Sequence, residues 1–185
     1  FEMLVNRFST RRDLPKIIFK MGYAYLRGKN YSKAVAAFDR YATLVGSNDP
    51  NYQQALISKA EALYQQQQYS YAVDVYQKFY KLSKDEAIRQ HILFGLGWCH
   101  FKLRRYDDSM NAFLQAIALD PQNPLAQNAW FKVAESYVRL GNLDQALVVY
   151  EDIESRFSSL KSKAAWDKAL MYYRADRFND ARRWL

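Results

Sequence analysis

Cysteine is all but missing from this chain of 185 residues: Cys99 is the single one, so no intramolecular disulfide can form. Histidine is nearly as scarce, with His91 and His100 alone, and no metal-ligand spacing of Cys and His exists. No Ser-His-Asp set, glycine-rich phosphate loop or convergent carboxylate pair can be traced, so no enzyme activity, cofactor or metal is expected. No apolar run approaches the roughly 20 residues that a bilayer-spanning helix needs. Alternating strand patterns bounded by turns are lacking. Acidic residues are in deficit: 19 Asp and Glu against 27 Lys and Arg give a net charge of +8. That balance can attract nucleic acid, an anionic surface or an acidic protein. No run of five or more basic residues occurs, which argues against a nucleic-acid tail. Arg11-Arg12, Arg104-Arg105 and Arg182-Arg183 read as solvated turns and helix ends. Cys99, beside Trp98, reads as a small core residue, because a reactive thiol needs an electropositive, partly exposed site.

What the chain does have is repetition. Ala34, Ala72, Ser109, Ala146 and Ala181 stand 38, 37, 37 and 35 residues apart. Four residues after each comes a large apolar one: Phe38, Tyr76, Phe113, Tyr150 and Leu185. Three residues before each stands another: Tyr31, Tyr69, Tyr106, Leu143 and Phe178. Twelve residues before each is a tiny residue: Gly22, Ala60, Gly97, Ala134 and Ala169. Three residues after the tiny one comes Tyr25, Leu63, His100, Tyr137 or Tyr172, so His100 reads as a packing residue. A period of this length marks a solenoid or array with one supersecondary unit per repeat. Such units bury their apolar faces by stacking on neighbours.

Within each unit apolar residues recur at helical spacing, as in Ile18, Met21, Gly22 and Tyr25. Short polar segments such as Gly28-Lys29-Asn30 and Gly141-Asn142 join helices into antiparallel hairpins. Longer links, Gly46 to Pro50 and Asp120 to Pro124, stop one helix and cap the next. The spacing predicts ten helices in five pairs, plus an N-terminal helical remnant. The repeats fall at about 15–48, 53–88, 90–124, 127–160 and 162–185, within one domain over 1–185. Because the chain starts at Phe1 and ends inside a second helix, it is expected to be a fragment of a longer protein.

These columns resemble the tetratricopeptide repeat. Repeat three gives Leu93, Leu96, Gly97, His100, Tyr106, Ser109, Phe113, Ala116 and Pro121; repeat four gives Trp130, Val133, Ala134, Tyr137, Gly141, Leu143, Ala146 and Tyr150. The resemblance covers about residues 15–185. It implies an all-α, right-handed α-α superhelix of about five helix-turn-helix repeats, and a protein-binding role. His100 stands where tyrosine is usual, Ser109 where alanine is, and Tyr41 and Phe79 where a small residue is. The long repeats and the link Arg156–Ala165 are similar to those of bacterial envelope members: the lipoprotein of the outer-membrane barrel-assembly machinery and the periplasmic coordinator that binds the Tol system. That likeness implies a bacterial periplasm or envelope location, with the cytoplasm as the alternative.

The resemblance also implies that the first helix of each pair lines the concave face. One column there reads Phe19, Ile57, Phe94, Phe131 and Trp166; the next reads Tyr23, Glu61, Trp98, Glu135 and Leu170. A third reads Leu26, Tyr64, Phe101, Val138 and Tyr173, beside Arg27, Gln65, Lys102, Arg139 and Arg174. This is an aromatic stripe flanked by a cation ladder, the residue types that dominate binding hot spots. The expected partner-binding residues are Phe19, Tyr23, Arg27, Tyr64, Phe94, Trp98, Phe101, Lys102, Phe131, Arg139, Trp166, Tyr173 and Arg174. The expected partner is another protein, through a segment with apolar anchors and acidic residues. The competing reading of the stripe is packing core. Two other functions stay open: binding of an anionic polymer through the ladder, and service as an accessory domain of a larger enzyme.

Overall fold

The computed structural model describes residues 13–184. The described residues form ten α-helices and no strand. They are α1 (Leu14–Arg27), α2 (Tyr31–Val45), α3 (Tyr52–Gln65), α4 (Tyr69–Tyr80), α5 (Glu86–Lys102), α6 (Tyr106–Leu119), α7 (Pro124–Arg139), α8 (Leu143–Arg156), α9 (Lys161–Arg174) and α10 (Phe178–Ala181). Odd-numbered helices are the first and even-numbered the second members of successive hairpins. Each packs on the helix before and after it, and first helices also meet directly: α1 on α3, α3 on α5, α5 on α7. The N-terminal remnant, Arg11-Arg12 and Leu185 lie outside the described residues.

One turn closes all five hairpins. Lys29, Gln67, Arg104, Gly141 and Asp176 take positive φ, at 57°, 61°, 59°, 81° and 58°. The residue after each donates its amide to the carbonyl five positions back: Asn30 to Tyr25, Gln68 to Leu63, Arg105 to His100, Asn142 to Tyr137 and Arg177 to Tyr172, at 2.8–2.9 Å. The positive-φ residue donates to the carbonyl three back, as Gln67 does to Tyr64 at 2.9 Å. This pair of bonds is a Schellman cap, which satisfies orphan carbonyls of the first helix and reverses the chain. Links between hairpins are capped by side chains. Asp85 accepts from the Ile88 amide at 3.0 Å and Asn123 from the Leu125 amide at 2.9 Å. Pro124 starts α7, where its missing N–H costs nothing.

The tiny column works by close approach. A Cβ on Gly22 would fall 2.6 Å from the Phe38 ring, and one on Gly97 2.6 Å from the Phe113 ring. Both rings are completely buried. The departures from the family pattern have local reasons. The Ser109 hydroxyl donates to the Gly97 carbonyl at 2.9 Å, tying the second helix of its repeat to the first. Tyr41 is buried with its hydroxyl on Asp49 at 2.5 Å, and Phe79 is buried outright. His100 packs in the core, 3.8 Å from the Asp108 carboxylate. Buried Gln90 reaches the carbonyls of Ala116 and Asp120 at 2.9 Å each and so holds the end of α6. Cys99 is fully buried, and burial pushes its thiol up to about 12, far from thiolate chemistry at neutral pH. Among the described residues no helix is long and apolar enough to cross a membrane.

Candidate functional site: a groove along the first helices

Two adjoining cavities open on the first-helix side. The larger, about 960 Å³, is walled by α5, α7 and α9, with Leu143 and Tyr150 of α8 reaching in from the second layer. The smaller, about 240 Å³, lies between α3 and α5, with Tyr76 of α4 in its lining. Phe94 and Trp98 belong to both linings and form the wall between the cavities. Their spacing of four residues puts them on one face of α5. Both rings pack edge-on to Phe113, with centroids at 5.7 and 6.3 Å, so the core fixes their orientation.

Cations cover Trp98 and two neighbouring rings. The Lys132 ammonium lies 4.6 Å from the Trp98 centroid and 5.0 Å from that of Phe101. Lys163 of α9 stands 3.8 Å over the Phe131 ring. Such contacts are worth about 0.5–2 kcal/mol, more where water is excluded. The carboxylate of Glu135 holds Lys132 at 2.5 Å and Arg139 at 3.3 Å. Burial pushes the Glu135 carboxyl up, but these two cations outweigh it and hold the group below the usual carboxylate range. Asp167 has the opposite balance. Burial raises its carboxyl and nearby Glu135 adds to the rise, against the pull of Lys163, Lys132 and Arg174. No ion pair is found for Lys163 or Arg174 among the described residues. On the smaller cavity, His91 lies 3.1 Å from Glu61, bridging α5 to α3. His91, isolated in the sequence, therefore has a partner in the fold.

The expected partner-binding residues divide into four sets. Tyr64, Phe94, Trp98, Phe131, Arg139 and Arg174 line the cavities. Phe131, however, is only 7% exposed and belongs to the core of the fourth hairpin, so it is a floor rather than a protruding anchor. Phe101 lies beside the groove, with Lys132 over its ring and Tyr106 packed edge-on to it. Lys102 is exposed next to it but borders neither cavity. Phe19, Tyr23 and Arg27 are distant, on α1; Phe19 and Tyr23 pack against each other and on Phe38. Trp166 and Tyr173, both 61% exposed, share a face of α9 that turns away from the larger cavity. Tyr173 packs on Phe178 at 5.4 Å.

Sequence columns missed Lys132, Lys163, Asp167, His91 and Gly95 as groove residues, and placed Tyr76 and Tyr150 in the core alone. Glu135 with Lys132 and Arg139, at helical spacings of three and four, was the one legible signal. Among the described residues no group of three or more His, Cys, Asp or Glu is placed to hold a metal ion.

Comparison with known proteins identifies this architecture. Profiles described as Tetratricopeptide repeat match residues 91–123, and residues 19–87 and 125–185. No curated protein matches the chain. Among solved structures it is similar to a putative kinesin light chain of Podosopora anserina with nearly identical TPR-like repeats, at 13% identity and a TM-score of 0.76 over 95% of this chain and 93% of that one. It is similar to residues 41–end of MamA from Desulfovibrio magneticus RS-1, at 17% identity and a TM-score of 0.75 over 92% and 90%. A tetratricopeptide repeat protein of Parabacteroides merdae aligns at 14% identity and a TM-score of 0.76 over 92% and 63%. At these identities the likeness is one of fold. With more than half its length matched by these profiles, the chain belongs to the tetratricopeptide repeat family.

Proposed function

We propose that this chain is a protein–protein interaction scaffold that holds a segment of a partner in the groove along its first helices, within a larger assembly. The observation that carries the reading is the pair of adjoining cavities divided by Phe94 and Trp98, with rings oriented by the core. Concave sites with apolar walls and a few convergent polar groups are the usual form of a binding site. Aromatic residues held in such a place are typical anchors. The cation ladder gives less support to an anionic polymer. Arg139 is committed to Glu135, while Glu61, Glu135 and Asp167 interrupt the positive surface. A bacterial envelope location rests on the repeat length and the Arg156–Ala165 link alone, and here that link folds into a 3₁₀ turn at Ser158–Leu160 that leads directly into α9.

Photo-cross-linking in the native host tests the proposal. A benzophenone side chain replaces Tyr64 or Trp98 in the groove, or exposed Leu114 or Val148 on second helices. Groove positions should capture one and the same protein segment, and second-helix positions should not. Capture of nucleic acid, or of protein from Leu114 and Val148 alone, would refute it.

A further inference from the structure

The second-helix aromatic column alternates in a way the fold makes meaningful. Phe38 and Phe113 face glycines of their own repeats, Gly22 and Gly97, and end inside the hairpin. Tyr76 and Tyr150 belong to repeats whose tiny residue is alanine, Ala60 and Ala134. Their rings line the two groove cavities, Tyr76 the smaller and Tyr150 the larger. Both side chains are more than nine-tenths buried, at 3% and 5% exposure. Neither hydroxyl makes a hydrogen bond among the described residues. The rings are buried while the hydroxyl oxygens still open to the cavities, so two unpartnered hydroxyls at equivalent positions face the groove, where a ligand can reach them.

The surroundings state what each would bind. A Cβ at position 95 would fall 2.7 Å from the Tyr76 hydroxyl oxygen, so Gly95 is what lets that hydroxyl reach the smaller cavity. Glu61 and His91 also line this cavity, and the Glu61 carboxylate disfavours a second negative charge there. The larger cavity is lined by Lys132, Arg139, Lys163 and Arg174 against Glu135 and Asp167, an excess of two positive charges. Glu135 occupies Lys132 and Arg139. Lys163 and Arg174 make no ion pair among the described residues, although both act on the Asp167 carboxyl, so a ligand beside Tyr150 shares them with Asp167.

We propose that the two cavities are paired acceptor pockets for one acidic peptide segment. A carboxylate side chain takes a hydrogen bond from Tyr150 and the charges of Lys163 and Arg174. A neutral carbonyl takes the hydroxyl of Tyr76. An apolar residue between them packs on Phe94 and Trp98. This rests on the groove reading above and gives its occupant a chemistry. Charge-assisted hydrogen bonds of this kind are the strong ones, and a site built to make them rejects ligands that lack the acceptor.

A random peptide library displayed on phage, selected on the full chain, tests the inference. Fluorescein-labelled copies of the enriched peptides are titrated by anisotropy against the unmodified chain, Tyr150→Phe, Tyr76→Phe, Lys163→Gln/Arg174→Gln and Trp98→Leu. Thermal melts check that each variant folds, and Tyr→Phe keeps the packed ring. Enriched peptides should carry Asp or Glu. Tyr150→Phe and the double Gln variant should each weaken binding about tenfold, as loss of a hydrogen bond to a charged group does. Changing the peptide's acidic residue to Ala, which removes the acceptor, should abolish the Tyr150→Phe effect, and Tyr76→Phe should weaken both peptides alike. Peptides that lose affinity for Trp98→Leu but ignore both Tyr→Phe changes overturn this inference and leave the groove reading standing. Peptides indifferent to all of these substitutions, or no enriched peptide, count against both.

Discussion

The Phe113 ring occupies the space that a side chain on Gly97 would need: a Cβ there would lie 2.6 Å from its Cε1. The ring is enclosed on all sides and cannot yield without disturbing Phe94 and Trp98, which rest on it. Gly97→Ala should therefore destabilise the chain by about 1–3 kcal/mol through overpacking, although alanine is the better helix former by about 1 kcal/mol. Urea unfolding measures it. A higher midpoint for the variant would mean the ring moves freely.

The hairpin turns carry an opposite effect. Gln67 is exposed and holds φ at 61°, where a side chain costs about 1–2 kcal/mol relative to right-handed backbone. Gln67→Gly removes that strain and adds unfolded-state freedom worth about 0.5–1 kcal/mol. The expected net is a stabilisation of up to about 1 kcal/mol, read as a raised denaturant midpoint at constant slope. A lowered midpoint would show that the Gln67 side chain contributes contacts that outweigh its backbone strain.

His100 sets a pH dependence. Burial lowers its proton affinity below the ordinary 6.5, Arg105 adds to this, and Asp108 opposes it. The folded state thus favours the neutral ring. Its contribution to stability is present above pH 6.5 and is lost as pH falls through the lower folded value. Melting temperature should drop from pH 7.5 to 5, and His100→Leu should flatten the drop; Leu63 occupies this column in repeat two. An unchanged pH profile in the variant would refute the assignment.

Two residues of one sequence column should behave differently. Phe131→Ala is expected to cost about 3–5 kcal/mol of folding energy, as core aromatics do. Trp166→Ala, at 61% exposure, should stay within about 0.5 kcal/mol. Equal losses by thermal melts would contradict the burial difference.

That contrast shows what the sequence could and could not reveal. Helices, hairpins and the Gly97–Phe113 approach follow from residue type at fixed spacing, so the fold was legible. Phe131 and Trp166 share a column, yet Lys163 of α9 covers Phe131 while nothing among the described residues covers Trp166. Which member of a stripe is core depends on the helix stacked over it. Lys29, Gln67, Arg104 and Asp176 take a turn conformation that glycine would have announced. The alternation of Phe and Tyr at 38, 76, 113 and 150 was visible, but only the cavities give the hydroxyls a destination.

The central claim is that the first helices hold the partner. Hydrogen–deuterium exchange of the full chain, alone and saturated with the protein captured at Trp98, tests it most directly. Binding should slow exchange in α5, α7 and α9, along the Phe94–Trp98 wall and the Lys163–Arg174 face. Protection confined to the second helices α4, α6 and α8 would contradict it.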